Sequence, residues 1–230
     1  MNERVIRISL DINVLCADLL STRAGLRTSA ASFLVNAVRD GECPAGPVQL
    51  ITSVPVIENW ASVLQRHFAY TKEAAEETAG FLYDYATEGA LGLPPNLVVG
   101  SGHVPFADEE AVRAAMAEHA RPGNANRLFD EIADDRYVLL GAIAGEADLL
   151  ATSDIDDFFR GPATAFEGRT DVILYPAHKA PLVVGKPAFI AHWLRRGVVP
   201  DAIFIAENAG DFVPAGPAPT HLPGFGAGRG

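Results

Sequence analysis

The chain has 230 residues, 49% of them hydrophobic, and a formal net charge of −11; this length fits one domain with extensions, since two compact domains would be a tight fit. The negative charge argues against a protein that coats nucleic acid through bulk electrostatics, although an enzyme can still act on nucleic acid through a local cluster of acids. No run of about eighteen apolar residues occurs and no signal-peptide pattern opens the chain, so we expect no membrane span and no secretion.

Three short apolar stretches predict the strands of a buried parallel sheet, because helical patterns separate them. These stretches are residues 5–10, 48–52 and 148–152. The helical patterns cover 13–20, 29–40, a segment from Thr52-Ser53 to about His67 with Pro55 in its first turn, about 72–86, and 134–145.

Two segments interrupt this regular alternation and read as insertions. The first covers residues 93–126, with a loop at 93–96, a short strand at 97–99 and a helix at 108–119; the second covers 160–181. The last residues, 208–230, are rich in Gly, Ala and Pro, a composition that predicts a disordered tail.

Near the end of the domain the alternation of strands and helices returns, with short strands at 172–174 and 182–184 and a helix at 187–196. Strands that alternate with helices favour an α/β architecture. We therefore predict a single domain over residues 1–200, a three-layer α/β/α sandwich with a central, mostly parallel sheet.

Acidic residues gather where these strands end. Asp11 follows the first strand, Asp154 follows the third, and Glu58 lies about one and a half turns into the helix after the second. Asp134 and Asp135 open the helix that leads into the third strand. Because ligands of such sheets bind beyond the carboxyl ends of the strands, we expect these acids to share one cleft.

The chemistry of these residues points to a divalent cation. Asp135 falls on the apolar face of its helix, with Val138 and Ala142, where an ionised carboxylate needs compensation. Several carboxylates in one cleft repel each other unless a cation neutralises them. Ligands that are all oxygen, without His or Cys, favour Mg²⁺ or Mn²⁺. Each acid alone is an ordinary helix cap or surface residue, so the joint pattern carries the prediction.

Four segments in order resemble the PIN-domain nucleases, in particular the toxins of type II toxin–antitoxin pairs. They are residues 8–15, with Asp-Ile-Asn-Val-Leu at 11–15, then 51–58, 134–142 and 146–154. The stretch from Pro187 to Leu194 is similar to the family's last strand and helix. The resemblance spans about residues 4–160 and 182–196.

The resemblance implies a metal-dependent ribonuclease whose catalytic acids, Asp11, Glu58, Asp135 and Asp154, hold one or two Mg²⁺ or Mn²⁺ ions. It also implies that Asn13 orients the first acid and that Thr152 or Ser153 supplies a hydroxyl near the last. The helix after Asp135 is one residue longer than the family pattern, so Asp134 is an alternative ligand. The implied partners are RNA and a small antitoxin that covers the acidic cleft, with a homo-oligomer left open.

Basic residues that could contact substrate phosphates are fewer. The candidates are Arg23, Arg27, Arg66 and Arg136. No side-chain nucleophile stands out: Cys16 and Cys43 have no obvious base and no metal-ligand spacing, and they suit a reducing cytoplasm.

Two other functions compete with a nuclease. A metal-dependent phosphatase-like hydrolase also places Asp after its first strand, but it would need a second Asp at position 13, where this chain has Asn13. A catalytically inactive module of the same fold, binding only RNA or a partner, is the other alternative. Stabilisation by Mn²⁺ separates an active metal site from an inactive module.

Overall fold

The computed structural model describes residues 4–90, 99–100, 136–158, 163–166, 169–177 and 180–208. Its strands are β1 (Ile6–Leu10), β2 (Glu42–Cys43), β3 (Gly46–Ser53), β4 (Val99–Gly100), β5 (Leu149–Ala151), β6 (Thr164–Ala165), β7 (Val172–Tyr175) and β8 (Leu182–Gly185). Its helices are α1 (Ile12–Arg23), α2 (Ala30–Asp40), α3 (Val54–Phe68), α4 (Lys72–Thr87), α5 (Arg136–Ala144), α6 (Ile155–Phe158), α7 (Pro187–Leu194) and α8 (Ala202–Glu207).

One mixed sheet forms the centre of the fold, in the order β2-β3-β1-β5-β8-β7-β6, with β4 paired to β3. Strands β4, β3, β1, β5 and β8 are parallel, and β2, β7 and β6 are added antiparallel. Helices flank this sheet, so the predicted three-layer α/β architecture with a mostly parallel sheet is confirmed.

Both faces of the sheet are covered, which explains why its parallel strands are almost continuously apolar. Residues Gln49, Ile51 and Ser53 of β3 point to the layer of α4 and α5. The amide of Gln49 donates to the carbonyl of Ala86 at 2.7 Å, and a Cβ on Gly145, the residue after α5, would collide with Ile51. The missing side chain of that glycine therefore lets α5 lie close against β3.

The predicted elements agree with the described ones to within a few residues. Helix α3 begins one residue after Ser53, whose side chain makes no capping hydrogen bond, and the second residue of the helix is Pro55, which has no N–H to donate. Strands β2 and β6 and helices α6 and α8 were not predicted, being six residues or fewer each.

Several predictions concern residues outside the described ranges or in the segment 160–181. The helix at 108–119, the acids Asp134 and Asp135 and the tail from 209 onward lie outside the described residues. The described part of 160–181 contains β6 and β7, which extend the sheet beyond β8. Within the described ranges, no helix is long and apolar enough to cross a membrane.

An ion pair connects Arg4, two residues before β1, to Asp201 at the start of α8, the last described helix. Asp201 caps α8 by accepting from the Phe204 N–H at 2.9 Å, and it pairs with Arg4 at 2.6 Å. Burial alone would raise the pKa of Asp201, but the Phe204 N–H and the Arg4 guanidinium outweigh it, so the pKa lies below its ordinary value.

Replacing Asp201 with Ala should lower the free energy of unfolding by about 1 kcal/mol, the usual loss for a helix cap. Asp201→Ser keeps a cap acceptor without the charge, so it should lose less. Because the folded pKa is lowered, the advantage of aspartate over serine is present at neutral pH and should disappear as the pH falls below about 4. Urea melts at several pH values measure this, and an Asp201→Ala protein as stable as wild type at pH 7 would contradict it.

Candidate functional site

The candidate site lies where the order of the strands in the sheet reverses, on either side of β1. From β1 the chain moves to β3 on one side, whereas β5 lies on the other side of β1. The crevice beyond the carboxyl ends of two such strands is the usual ligand site of open α/β sheets. Asp11 directly follows β1, and Thr152 directly follows β5.

Polar side chains are concentrated at this edge. Among the described residues, seven polar or charged side chains are buried, and four of them, Asp11, Thr52, Ser53 and Thr152, follow or end a central strand. Buried polar groups are costly unless they are paired, so their concentration at one edge of an apolar sheet marks a functional place.

Asp11 is only 4% exposed, and its carboxylate is held by three donors. Oδ1 accepts from the Ile12 N–H at 2.6 Å, and Oδ2 accepts from the Asn13 amide at 2.6 Å and from the Thr152 hydroxyl at 2.7 Å. A carboxylate has about four lone-pair positions, and the described donors leave one position on Oδ1 unused.

Asn13 connects the ends of β1 and β5 through hydrogen bonds. Its carbonyl oxygen accepts from the Ser153 N–H at 3.0 Å, while its amide donates to Asp11 and approaches the Asp154 carboxylate at 3.5 Å. The Thr152 hydroxyl in turn accepts from the Asp154 N–H at 3.1 Å. This network places the exposed Asp154 next to the buried Asp11.

The electrostatics of this pair are unfavourable without a counter-ion. Burial raises the pKa of Asp11, the Thr152 and Ile12 donors lower it in part, and the charge of Asp154 raises it again. In the described part of the chain, no Lys or Arg forms an ion pair with either carboxylate. A divalent cation would relieve both the burial and the repulsion.

These two acids meet part of what Mg²⁺ or Mn²⁺ requires, because they offer adjacent carboxylate oxygens that no described Lys or Arg neutralises. Over the ranges that the structure describes, no group of three or more His, Cys, Asp or Glu side chains is positioned to hold a metal ion. Asp11 and Asp154 therefore need a further ligand. Glu58 is exposed on the second turn of α3, and Asp134 and Asp135 immediately precede α5 in sequence.

Helices α3 and α5 are joined beside this edge. The amide of Asn59, the residue after Glu58, donates to the hydroxyl of Tyr137 in the first turn of α5. One turn further along α5, Gly141 lies against Ser53 at the end of β3. The helix that carries Glu58 and the helix that follows Asp135 thus begin side by side.

Two of the predicted phosphate contacts lie far from Asp11 along their helices. Arg23 is the last residue of α1, about 18 Å along that helix from Asp11, and its guanidinium stacks over Phe68 and Tyr70. Arg66 lies about 18 Å along α3 from its first residue, and Arg27 is exposed in the loop after α1. The side chain of Arg136 lies outside the described ones.

The surroundings of both cysteines disfavour the thiolate form. Burial raises the pKa of Cys16 to about 11, and the charge of Asp11 adds to this effect. Burial also raises the pKa of Cys43. Because the thiolate is the reactive form, neither side chain is activated at neutral pH.

Ser53 lies at the candidate site, although the sequence predicted it only as part of the start of a helix. The pairing of Ile6 with Val48 and of Ser9 with Ile51, continued by two residues, places Ser53 beside Asp11. Its hydroxyl is buried and finds no hydrogen-bond partner among the described residues. Asp11 and Ser53 each lie five residues after the paired Ile6 and Val48, an equality that can be seen only once the register is known.

Comparison with protein-family models and with curated protein sequences finds no match to this chain.

Replacing Thr152 with Val should lower the free energy of unfolding by about 1–3 kcal/mol, because the buried Asp11 carboxylate loses a donor. Thr152→Ser keeps the hydroxyl and should lose less. The Thr152 hydroxyl lowers the pKa of Asp11, so the deficit of the Val variant should shrink as the pH falls and Asp11 becomes protonated. Denaturant melts in EDTA measure both variants, and a Val variant at least as stable as wild type would refute this role.

Proposed function

We propose that the protein is a metal-dependent phosphodiesterase, an endoribonuclease of the PIN-domain kind. The observation that supports this proposal best is the pair of adjacent carboxylates, Asp11 and Asp154, at the switch point of the sheet, oriented by Asn13 and Thr152 and not neutralised by a described cation. Mg²⁺ or Mn²⁺ is the proposed cofactor, since the donors are oxygens.

In this proposal each residue has a defined task. Asp11 and Asp154 offer carboxylate oxygens, with Glu58 and Asp135 as the further acids. Asn13 and Thr152 hold the Asp11 carboxylate in one orientation through bonds of 2.6 and 2.7 Å, and the Ser153 N–H fixes Asn13. When bound, the metal lowers the pKa of a coordinated water and offsets charge on the phosphate, so no side-chain nucleophile is needed.

The sequence resemblance extends the proposal to the biological role. It favours a cytoplasmic toxin of a toxin–antitoxin pair, with a small antitoxin whose segment covers the acidic edge. A homo-oligomer is compatible with the same resemblance. The exposed Asp154 beside the buried Asp11 would offer such an inhibitor, or the RNA, one accessible carboxylate.

The alternative phosphatase-like hydrolase is less well supported. Such an enzyme would use position 13 as a general acid, but the Asn13 amide has no acidic proton and both its ends are engaged in the network. The inactive binding module is also less well supported, because it does not account for an unneutralised pair of carboxylates.

The decisive experiment incubates purified protein with mixed RNA and DNA in Mn²⁺ and in EDTA. We expect cleavage of RNA in Mn²⁺ alone. Asp154→Asn should reduce the rate by more than about 100-fold without a change in melting temperature, because even residues that only support a metal ligand cost about 10- to 100-fold. Asp156→Asn, an exposed acid two residues away, is the matched control and should stay active.

The same assay decides whether Asp134 or Asp135, the two acids before α5, takes part in the site. Asp135→Ala should be inactive and Asp134→Ala nearly unaffected, since Asp135 lies on the apolar face of the helix pattern. Absence of any Mn²⁺-dependent cleavage of RNA or DNA, together with absence of Mn²⁺-induced stabilisation, would remove the proposed function.

A further inference from the structure

A lysine lies in line with the acidic edge, and its side chain makes no ion pair or capping bond with the described residues. Lys186 follows β8, the strand next to β5, as Thr152 follows β5 and Asp11 follows β1. Ala151 pairs with Gly185, and the Thr152 N–H donates to the Gly185 carbonyl at 3.0 Å. The next pair in this register is Thr152 with Lys186, so Lys186 is two strand spacings, about 10 Å, from Asp11.

The side chain of Lys186 leaves the sheet on the same face as Asp11 and Thr152. A Cβ on Gly185 would contact Phe189 and Ile190, so position 185 faces α7. Lys186 keeps an extended backbone, with φ −63° and ψ 145°, and successive side chains of an extended chain alternate between faces. Lys186 therefore points away from α7, to the face on which the Thr152 hydroxyl meets Asp11.

Among the described residues, the charge of Lys186 makes no interaction that stabilises the local structure. It stands at the N-cap of α7 without a side-chain capping bond, and a positive charge at a helix N-terminus is unfavourable because of the helix dipole. The nearest acid in the antiparallel register, Asp171, is already paired with Arg169 at 2.8 Å. None of the described acids forms an ion pair with Lys186.

We propose that Lys186 is a positioning residue for the substrate, binding a phosphate of the nucleic-acid backbone on the β8 side of Asp11. This inference rests on the proposed function, because it assumes a polyanion bound along the carboxyl edge. A half-buried lysine on a flexible four-carbon stem suits a phosphate as a point charge. It also supplies the local cation that Arg23 and Arg66, far along their helices, do not.

The test compares Lys186→Gln, which removes the charge, with Lys186→Arg, which keeps it. Lys72→Gln is the matched control, since it makes the same substitution on an exposed lysine at the start of α4, beyond the end of α3 that is far from Glu58. The probe is a labelled single-stranded 2′-O-methyl oligonucleotide, which the enzyme cannot cleave, and anisotropy gives its dissociation constant at several salt concentrations. Cleavage of the corresponding RNA in Mn²⁺ gives KM and kcat.

Lys186→Gln should weaken binding of the probe several-fold and lower the slope of log affinity against log salt by about 0.7, the value for one phosphate contact to a single strand. KM should rise more than kcat falls, and Lys186→Arg should restore most of the affinity. The melting temperature of Lys186→Gln in EDTA should equal or exceed that of wild type, because a cation is removed from a helix N-terminus.

Three results would overturn the inference. Equal losses in Lys186→Gln and Lys72→Gln would mean that only net charge matters. A lower melting temperature with unchanged probe binding would make Lys186 a counter-charge for Asp154 or Asp171. Wild-type affinity of Lys186→Gln in an enzyme that cleaves RNA would refute the role of Lys186 and leave the proposed function intact, whereas wild-type protein without metal-dependent cleavage would refute the function itself.

Discussion

The hydrogen bonds of the Asp11 carboxylate are the interaction on which this edge of the molecule depends. A carboxylate that is 4% exposed would be expensive to bury alone, and the Ile12 N–H, the Asn13 amide and the Thr152 hydroxyl provide the compensation. Because Thr152 and Asn13 belong to different strand ends, the same bonds fix how the ends of β1 and β5 meet. The compensation is incomplete, as the raised pKa of Asp11 indicates, and the neighbouring charge of Asp154 adds to the deficit.

The packing of the sheet keeps the residues at the strand ends in fixed positions. Strands β1, β3, β5 and β8 are buried on both faces, so their register cannot slip without exposing apolar side chains. Parallel pairing then aligns the residues that follow each strand, and Ser53, Asp11, Thr152 and Lys186 form one row. A site assembled from four strand ends needs no long loop to hold it, which suits chemistry in which carboxylates must keep a fixed separation.

Much of the fold follows from local pattern. Apolar runs at 5–10, 48–52 and 148–152 predict β1, β3 and β5 because parallel strands covered on both faces are apolar throughout. Helices α2 and α4 begin at Ser29 and Thr71, whose hydroxyls accept from the backbone three residues on. Strands β2 and β6, two residues each, were missed because such short elements form only through pairing with β3 and β7, which no local pattern encodes.

The sequence by itself determined the alternation of strands and helices, the parallel class of the sheet, and the position of Asp11 and Asp154 just beyond strand ends, because these properties depend on hydrophobic period and on neighbours in the chain. The tertiary structure alone decided which strand ends adjoin. It joined Asp11 to Thr152 across 141 residues, aligned Ser53 and Lys186 with them, and separated Arg23 from Asp11 by the length of α1. The physical reason is that strand order and register arise from packing between distant segments, which a linear pattern constrains only weakly.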